Sequence, residues 1–193
     1  MSTFYLVRHV QYSNSEKISP GRLPLELSEH GIEQARILQQ FFQDKHIETI
    51  YSSPVLRCKQ TAEIIAASTI PIHYDIRLAE IFSANQGNRE IDNWRKALYE
   101  FVPTLGGESP QDVQQRMIDF WATTLFESDK NYIICSHGDP LFFLYQFLCQ
   151  QPLHDDLTVN QPEGYQPKAS VRIVEYTDGN TVIVHPYITN QQL

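Results

Sequence analysis

The chain has 193 residues, 41% of them hydrophobic and 20% charged, a size that buries about 70% of its unfolded surface in one domain without disulfide staples. Its net charge of −8 and sequence pI near 5.3 exclude a generic polyanion binder such as a nucleic-acid protein, so an anionic ligand would have to be drawn by a local cationic pocket. The three cysteines, Cys58, Cys135 and Cys149, have no C-x-x-C spacing, the N-terminus has no basic leader, and no apolar run approaches about 18 residues; these features point to a reduced, cytoplasmic protein without a membrane segment.

In chain order, "TFYLVRH" (3–9) predicts a first strand and "LSEHGIEQARILQQFFQDK" (27–45) a helix, with Ser28 as N-cap and Ile32, Ala35, Leu38 and Phe42 at helical spacing. "IETIYSS" (47–53) reads as a second strand. A second helix, "PVLRCKQTAEIIAAS", follows, with Pro54 at its first position. "IPIHYD" (70–75) is a short strand and "REIDNWRKALYEFV" (89–102) a further helix. "ESPQDVQQRMIDFWATTLFES" (108–128) is capped by Ser109 and lines Val113, Met117, Phe120, Trp121 and Leu125 along one face. "NYIICSH" (131–137) is apolar enough to be a strand covered on both sides. Asp139-Pro140 opens a helix, and "ASVRIVEY" and "TVIVHPY" flank "TDGN", an Asp-Gly hairpin signal. The polar stretch 151–168, with three prolines, reads as a long loop near the site or at an edge.

Strand–helix alternation implies a single α/β domain over 1–193: a three-layer α/β/α sandwich around a mainly parallel sheet, with an antiparallel closing strand. Ligands of such sheets bind beyond the carboxyl ends of the strands. Arg8-His9 end the first strand, Arg57 lies in the first turn after the second, Glu80 follows the third, and His137 ends the central strand before Gly138-Asp139. A cation and an imidazole at the tip of a core strand cost desolvation unless an anion meets them. Guanidinium forks pair bidentately with phosphate oxygens, and helix-opening amides add donors. A neutral imidazole can attack phosphorus, and a buried carboxyl can protonate the leaving alkoxide.

His30, His46, His73, His154 and His185 lie outside this constellation and read as structural, and Arg89, Arg95 and Lys96 as a solvated helix face. Cys58 is turned about 100° from Arg57 on a helix and reads as core. His9, His137 and Glu80 could be taken for a two-His-one-carboxylate metal site, but two arginines beside a dication repel it, so no metal and no cofactor is assigned. Met117, Phe142 and Phe143 read as core or pocket wall, and Tyr12 and Tyr165 as candidates for the site mouth.

Four motifs carry a resemblance to a known family. "LVRHVQ" resembles the Arg-His-Gly signature of the histidine phosphatase superfamily, the phosphoglycerate-mutase-like fold, in its small phosphatase branch. "YSSPVLRCKQTA" is similar to its Ser-Ser-Pro-x-x-Arg-x-x-Gln-Thr-Ala segment, "GGESPQDVQQR" to its Gly-Gly-Glu-Ser helix opening and "CSHGDP" to its second-histidine strand, in the family's order from residue 3 to about 145. The resemblance implies a phospho-accepting His9, phosphoryl oxygens held by Arg8, Arg57 and His137, and Glu80 as proton donor. It places the substrate loop at Asn14, Gly21 and Arg22, with Ser15 competing for the Asn14 role, and puts Gly138 among the substrate-binding residues. A small phosphorylated substrate is implied, with no nucleic acid and no membrane; the sequence assigns no oligomeric state. Val10 stands where the signature has Gly, forbidding φ > 0 and adding a branched side chain that could narrow the pocket. The usual Gly-x-Trp-Glu-Gly after Glu80 is replaced by a stretch containing "SANQG". The expected activity is metal-independent phosphomonoester hydrolysis through a phosphohistidine. The alternatives are a non-catalytic phospho-ligand or protein-binding module on the same fold, or a phosphoglycerate-type mutase.

Overall fold

In the first strand, Ser2–Arg8 (β1), side chains alternate between two apolar environments. Tyr5 and Val7 pack with Ala35, Leu38, Ile50, Ala62, Ile133 and Cys135 on one side of the sheet. Phe4 and Leu6 pack with Met117, Phe120, Ile134, Leu141 and Leu144 on the other. A strand of this kind is covered on both faces, and each fully buried Leu or Phe contributes about 1.5–3 kcal/mol. The computed structural model describes residues 1–83, 86–87, 107–124, 126–153, 164–177 and 181–193. The expected helix over 89–102, the "DGN" of the hairpin turn, Leu125 and His154 lie outside these residues.

The other elements are the helix Glu29–Phe42 (α1), the strand Ile47–Ser52 (β2), the helix Leu56–Ala66 (α2), the short strand Ile72–Tyr74 (β3) and a 3₁₀ turn at Ile76–Leu78. The helix Pro110–Thr123 (α3), the strand Asn131–Ser136 (β4), the helix Gly138–Leu148 (α4) and the strands Val171–Thr177 (β5) and Thr181–Ile188 (β6) complete the described set. The six strands form one sheet in the order β3-β2-β4-β1-β5-β6. β3, β2, β4 and β1 run parallel, and β5 joins β1 antiparallel, as does β6 with β5. With α1 and α2 over one face and α3 and α4 over the other, the architecture is the three-layer α/β/α sandwich that strand–helix alternation implies.

Local chemistry sets the helix starts. Ser28 Oγ accepts from the Gly31 amide at α1, and Ser109 and Asp112 form a reciprocal capping box at α3 with Pro110 in the first turn. Two starts differ from expectation. α2 begins at Leu56 rather than Pro54, with Val55 at the cap position and no side-chain cap; the Ser53 hydroxyl, two residues earlier, accepts from the Val55 amide at 3.2 Å and meets His137 Nε2 at 2.9 Å. α4 begins at Gly138, two residues before Pro140, so His137 is its cap residue.

The topology selects the site. From β1 the chain crosses β4 to reach β2, whereas from β4 it crosses β1 to reach β5. The carboxyl ends of these two adjacent parallel strands therefore lead the chain in opposite directions, and the crevice between them is the topological switch point where α/β sheets bind ligands. Arg8 and His9 stand at one lip and His137 at the other.

Candidate active site

The backbone around the crevice is tightly held. His9 donates its N–H to Ser136 O at 3.0 Å, and its carbonyl accepts from the Ala169 amide at 3.2 Å. Beyond β2, Ser53 donates to Cys135 O at 2.9 Å. Ser136 Oγ donates to Leu78 O at 2.7 Å, fixing the 3₁₀ turn that precedes Glu80.

These constraints bring Arg8, His9, Arg57, Glu80 and His137 together. The imidazoles of His9 and His137 lie 5.1 Å apart between ring centroids. Arg57, fully buried, links them: Nε donates to His9 Nε2 at 3.1 Å, and Nη2 donates to His137 Nδ1 at 2.9 Å and to Gly21 O at 2.8 Å. Because a guanidinium offers only donors, those two ring nitrogens must be the unprotonated ones. His9 therefore carries its proton on Nδ1, which donates to Val10 O at 2.8 Å, and its lone pair is on Nε2. His137 carries its proton on Nε2, 2.9 Å from Ser53 Oγ. Burial first, then the positive charges of Arg57 and, more weakly, Arg8, hold both imidazoles well below the ordinary histidine range, so both are neutral at neutral pH.

Arg8 donates from Nη1 to Gln166 O at 2.6 Å and stacks over Tyr165. Among the described residues, nothing accepts from the buried Arg8 Nε or Arg57 Nη1. Unsatisfied buried donors are rare in folded proteins, and two in one cationic crevice mark a place for an anion. Gly138 keeps the crevice open: a Cβ there would meet Tyr165 Oη at 2.2 Å and Arg8 Cζ at 2.9 Å.

Glu80 Oε2 lies 3.6 Å from both Arg57 Nη2 and His137 Nδ1, while Oε1 accepts from the Ile81 amide at 3.0 Å. Burial, reinforced by the charge of Asp139, outweighs these favourable contacts and pushes its carboxyl up to about 7. Glu80 is thus not alone at this edge, since Asp139, in the first turn of α4, contributes a second carboxylate that accepts from Tyr165 Oη at 2.6 Å.

The substrate-loop residues are placed differently. Gly21 presents its carbonyl to Arg57 and has φ +40°. Arg22 is engaged by protein groups: Nη2 pairs with Glu108 Oε2 at 2.7 Å and Nε donates to Glu80 O at 2.8 Å. Asn14 uses its amide within its own loop, donating to Ile18 O and accepting from Ile18 N, and Ser15 is exposed. Val10 does not narrow the crevice; its side chain is buried in the core beneath α1 and α2 and its backbone is not left-handed.

Tyr12 lies beside His9, with Arg57 and Lys168 over its ring. Lys168, which also donates to Gln11 Oε1 at 3.1 Å and adds to the charge lowering His9, had no periodicity or motif to single it out. Ser53 was visible as part of the motif but not as the partner of His137. Cys58 is core, as expected, yet not remote from the site: Sγ reaches within 3.4 Å of His137 Nε2, and burial keeps it a thiol by pushing it well up. Among the described residues, no three His, Cys, Asp or Glu side chains are grouped to hold a metal ion, and no helix is long and apolar enough to cross a membrane.

A crevice at the switch point, lined by Arg8, His9, Arg57, Glu80 and His137, belongs to a chain whose residues 4–189 match the family model of the histidine phosphatase superfamily, branch 1; the protein is a member of that superfamily. Its relatives carry both phosphatase and mutase names. The chain is 32% identical over 167 residues to a Yersinia pestis protein named "Probable phosphoglycerate mutase GpmB", covering 80% of this chain and 78% of that one. Among solved structures, Bacillus stearothermophilus YhfR is 29% identical with a TM-score of 0.80, covering 95% of each chain. A mycobacterial glucosyl-3-phosphoglycerate phosphatase is 26% identical with a TM-score of 0.69, covering 89% of each.

Proposed function

We propose that the protein hydrolyses a small phosphomonoester through a phosphohistidine on His9, with Glu80 as proton donor. One observation carries this reading: a neutral His9 with its lone pair on Nε2 stands beside two buried guanidinium N–H groups, Arg8 Nε and Arg57 Nη1, that no described residue accepts. In the first step Nε2 attacks phosphorus, the ester P–O bond breaks, and the leaving alkoxide takes the proton of Glu80. In the second, water attacks phosphorus and gives a proton to the Glu80 carboxylate; the P–N bond breaks, releasing inorganic phosphate and neutral His9. Arg8, Arg57 and the amides opening α4 would hold the phosphoryl oxygens, joined by His137 once its Nδ1 takes up a proton with the incoming phosphate dianion. A carboxyl that titrates at about 7 is protonated often enough for the first step and ionised often enough for the second.

The name of the Yersinia relative favours a second reading, in which an acceptor hydroxyl rather than water receives the phosphoryl group. Single-turnover assays on a generic aryl phosphate and on 3-phosphoglycerate test both. Hydrolysis gives inorganic phosphate from each, and His9→Ala lowers the rate by several orders of magnitude while circular dichroism is unchanged. Near-wild-type turnover in His9→Ala would overturn the phosphohistidine route, and isomerised phosphoglycerate without phosphate release would establish the mutase.

A further inference from the structure

The segment carrying Glu80 is tied down at five backbone groups. Arg116 Nη1 donates to Arg77 O at 2.5 Å, and Ser136 Oγ to Leu78 O at 2.7 Å. Arg22 Nε donates to Glu80 O at 2.8 Å. The Phe82 amide donates to Glu108 Oε2 at 2.8 Å, and the Glu108 amide to Phe82 O at 2.8 Å. Glu108 is the hub, because its carboxylate also accepts from Arg22 Nη2 at 2.7 Å and from Arg116 Nε and Nη2 at 2.9 and 3.2 Å. One carboxylate thus pairs with two arginines that each hold a carbonyl on this segment, and it binds the segment directly two residues past Glu80.

We infer that Glu108 and Arg22 are positioning residues for Glu80, fixing where its carboxyl meets the leaving oxygen, and that Arg22 is not a substrate ligand. The inference rests on the reading of Glu80 as proton donor. Both side chains are largely buried, at 22% and 27% exposure, and carry complementary charge, so the pair is rigid enough to transmit geometry. Neither touches His9, Arg57 or His137 through any described contact, so loosening the pair should displace the acid and leave the phosphate-holding groups in place. A displacement of about 1 Å at a reacting group costs on the order of 10²-fold.

A double-mutant cycle with two leaving groups tests this. Rates of the phosphorylation step are measured by rapid quench for Glu80→Gln, Glu108→Gln, Arg22→Met and the Glu80→Gln combinations, on an alkyl phosphate and on nitrophenyl phosphate. Vanadate inhibition and thermal melting are followed in parallel. Glu108→Gln and Arg22→Met should lose about 10²-fold on the alkyl phosphate, only several-fold on the nitrophenyl ester, and nothing further when Glu80 is already Gln. Vanadate should inhibit Glu108→Gln and Arg22→Met like wild type. Arg22→Met leaves the Glu108–Arg116 pair intact and keeps the test available if Glu108→Gln does not fold. Losses that multiply in the double mutants, or that are equal for both leaving groups, would overturn the positioning role. A raised KM with unchanged kcat in Arg22→Met would make Arg22 a substrate ligand after all. If Glu80→Gln itself lacks leaving-group dependence, the donor assignment falls first and the inference with it.

Discussion

Glu80 offers a measurement that needs no substrate. Its carboxyl rises from an ordinary value of 4.5 to about 7 in the folded protein, through burial and the charge of Asp139. At 1.36 kcal/mol per pKa unit, that is about 3 kcal/mol of instability whenever the group is ionised in both states. Above pH 7 Glu80 is ionised folded and unfolded, and the folded state bears the full penalty. Between pH 7 and 4.5 the folded chain keeps a proton that the unfolded chain has lost, and the penalty shrinks. Below 4.5 both are protonated and it vanishes. Glu80→Gln, with the shape of the protonated acid and no charge, should therefore be more stable than wild type by about 3 kcal/mol at pH 8.5 and nearly equal to it at pH 4.5. In a chain of this length that is about 6–12 °C in Tm. Urea unfolding in phosphate-free buffer at five or six pH values reads it, since bound phosphate would stabilise the folded state by mass action. Destabilisation on acidification from His9 and His137, neutral when folded and charged when unfolded, is common to both proteins and cancels in the difference. A wild-type-minus-variant difference that stays flat from pH 4.5 to 8.5 would refute the raised carboxyl and the acid–base role built on it.

Two further substitutions follow from the geometry. Arg57→Lys keeps the charge but cannot serve His9 Nε2, His137 Nδ1 and Gly21 O together, so inhibition by inorganic phosphate should weaken at least tenfold, about 1.4 kcal/mol; unchanged inhibition would place the anion elsewhere. Gly138→Ala puts a methyl group 2.2 Å from Tyr165 Oη and 2.9 Å from Arg8 Cζ, which should cost about 1–3 kcal/mol in chemical denaturation and weaken phosphate binding by displacing Arg8; wild-type values for both would mean that the crevice has slack there.

The legible part of this protein was what repeats at short range. Two-sided burial of the "FYLV" and "YIIC" strands and the Ser28 and Ser109 caps depend on neighbours within a few residues, and the topology then carries Arg8, His9, Arg57, Glu80 and His137 to one edge. What escaped depends on partners far away in sequence. Ser53 was expected beside a helix start at Pro54, but its hydroxyl serves His137, 84 residues on, and the helix starts later. A helical wheel separates Cys58 from Arg57 but says nothing of His137, which arrives from another strand tip to meet the sulfur. Arg22 and Glu108 are 86 residues apart, and neither loop has a period from which pairing could be read. Lys168 sits in a proline-rich loop for the same reason unannounced.

Val10 stands where the signature has glycine, and its placement bears on the alternative of a non-catalytic phospho-ligand module. With its side chain in the core, the only group it turns to the chemistry is its carbonyl, which takes the Nδ1 proton of His9 and leaves the lone pair on Nε2; a glycine would supply the same carbonyl. A module built only to bind phosphate gains most from charged imidazoles, each adding a cationic donor. Here burial and Arg57 hold both histidines neutral, so His9 adds little attraction for an anion and keeps the property a nucleophile needs. Glu80 argues the same way. A carboxylate 3.6 Å from Arg57 would repel a bound phosphate dianion whenever ionised, a cost with no return in a pure binder. The same group, poised at about 7, is of use where a proton must be given to a leaving oxygen and then taken from water. The two features least suited to anion affinity, a neutral histidine and a carboxyl among arginines, are the two that phosphoryl transfer requires.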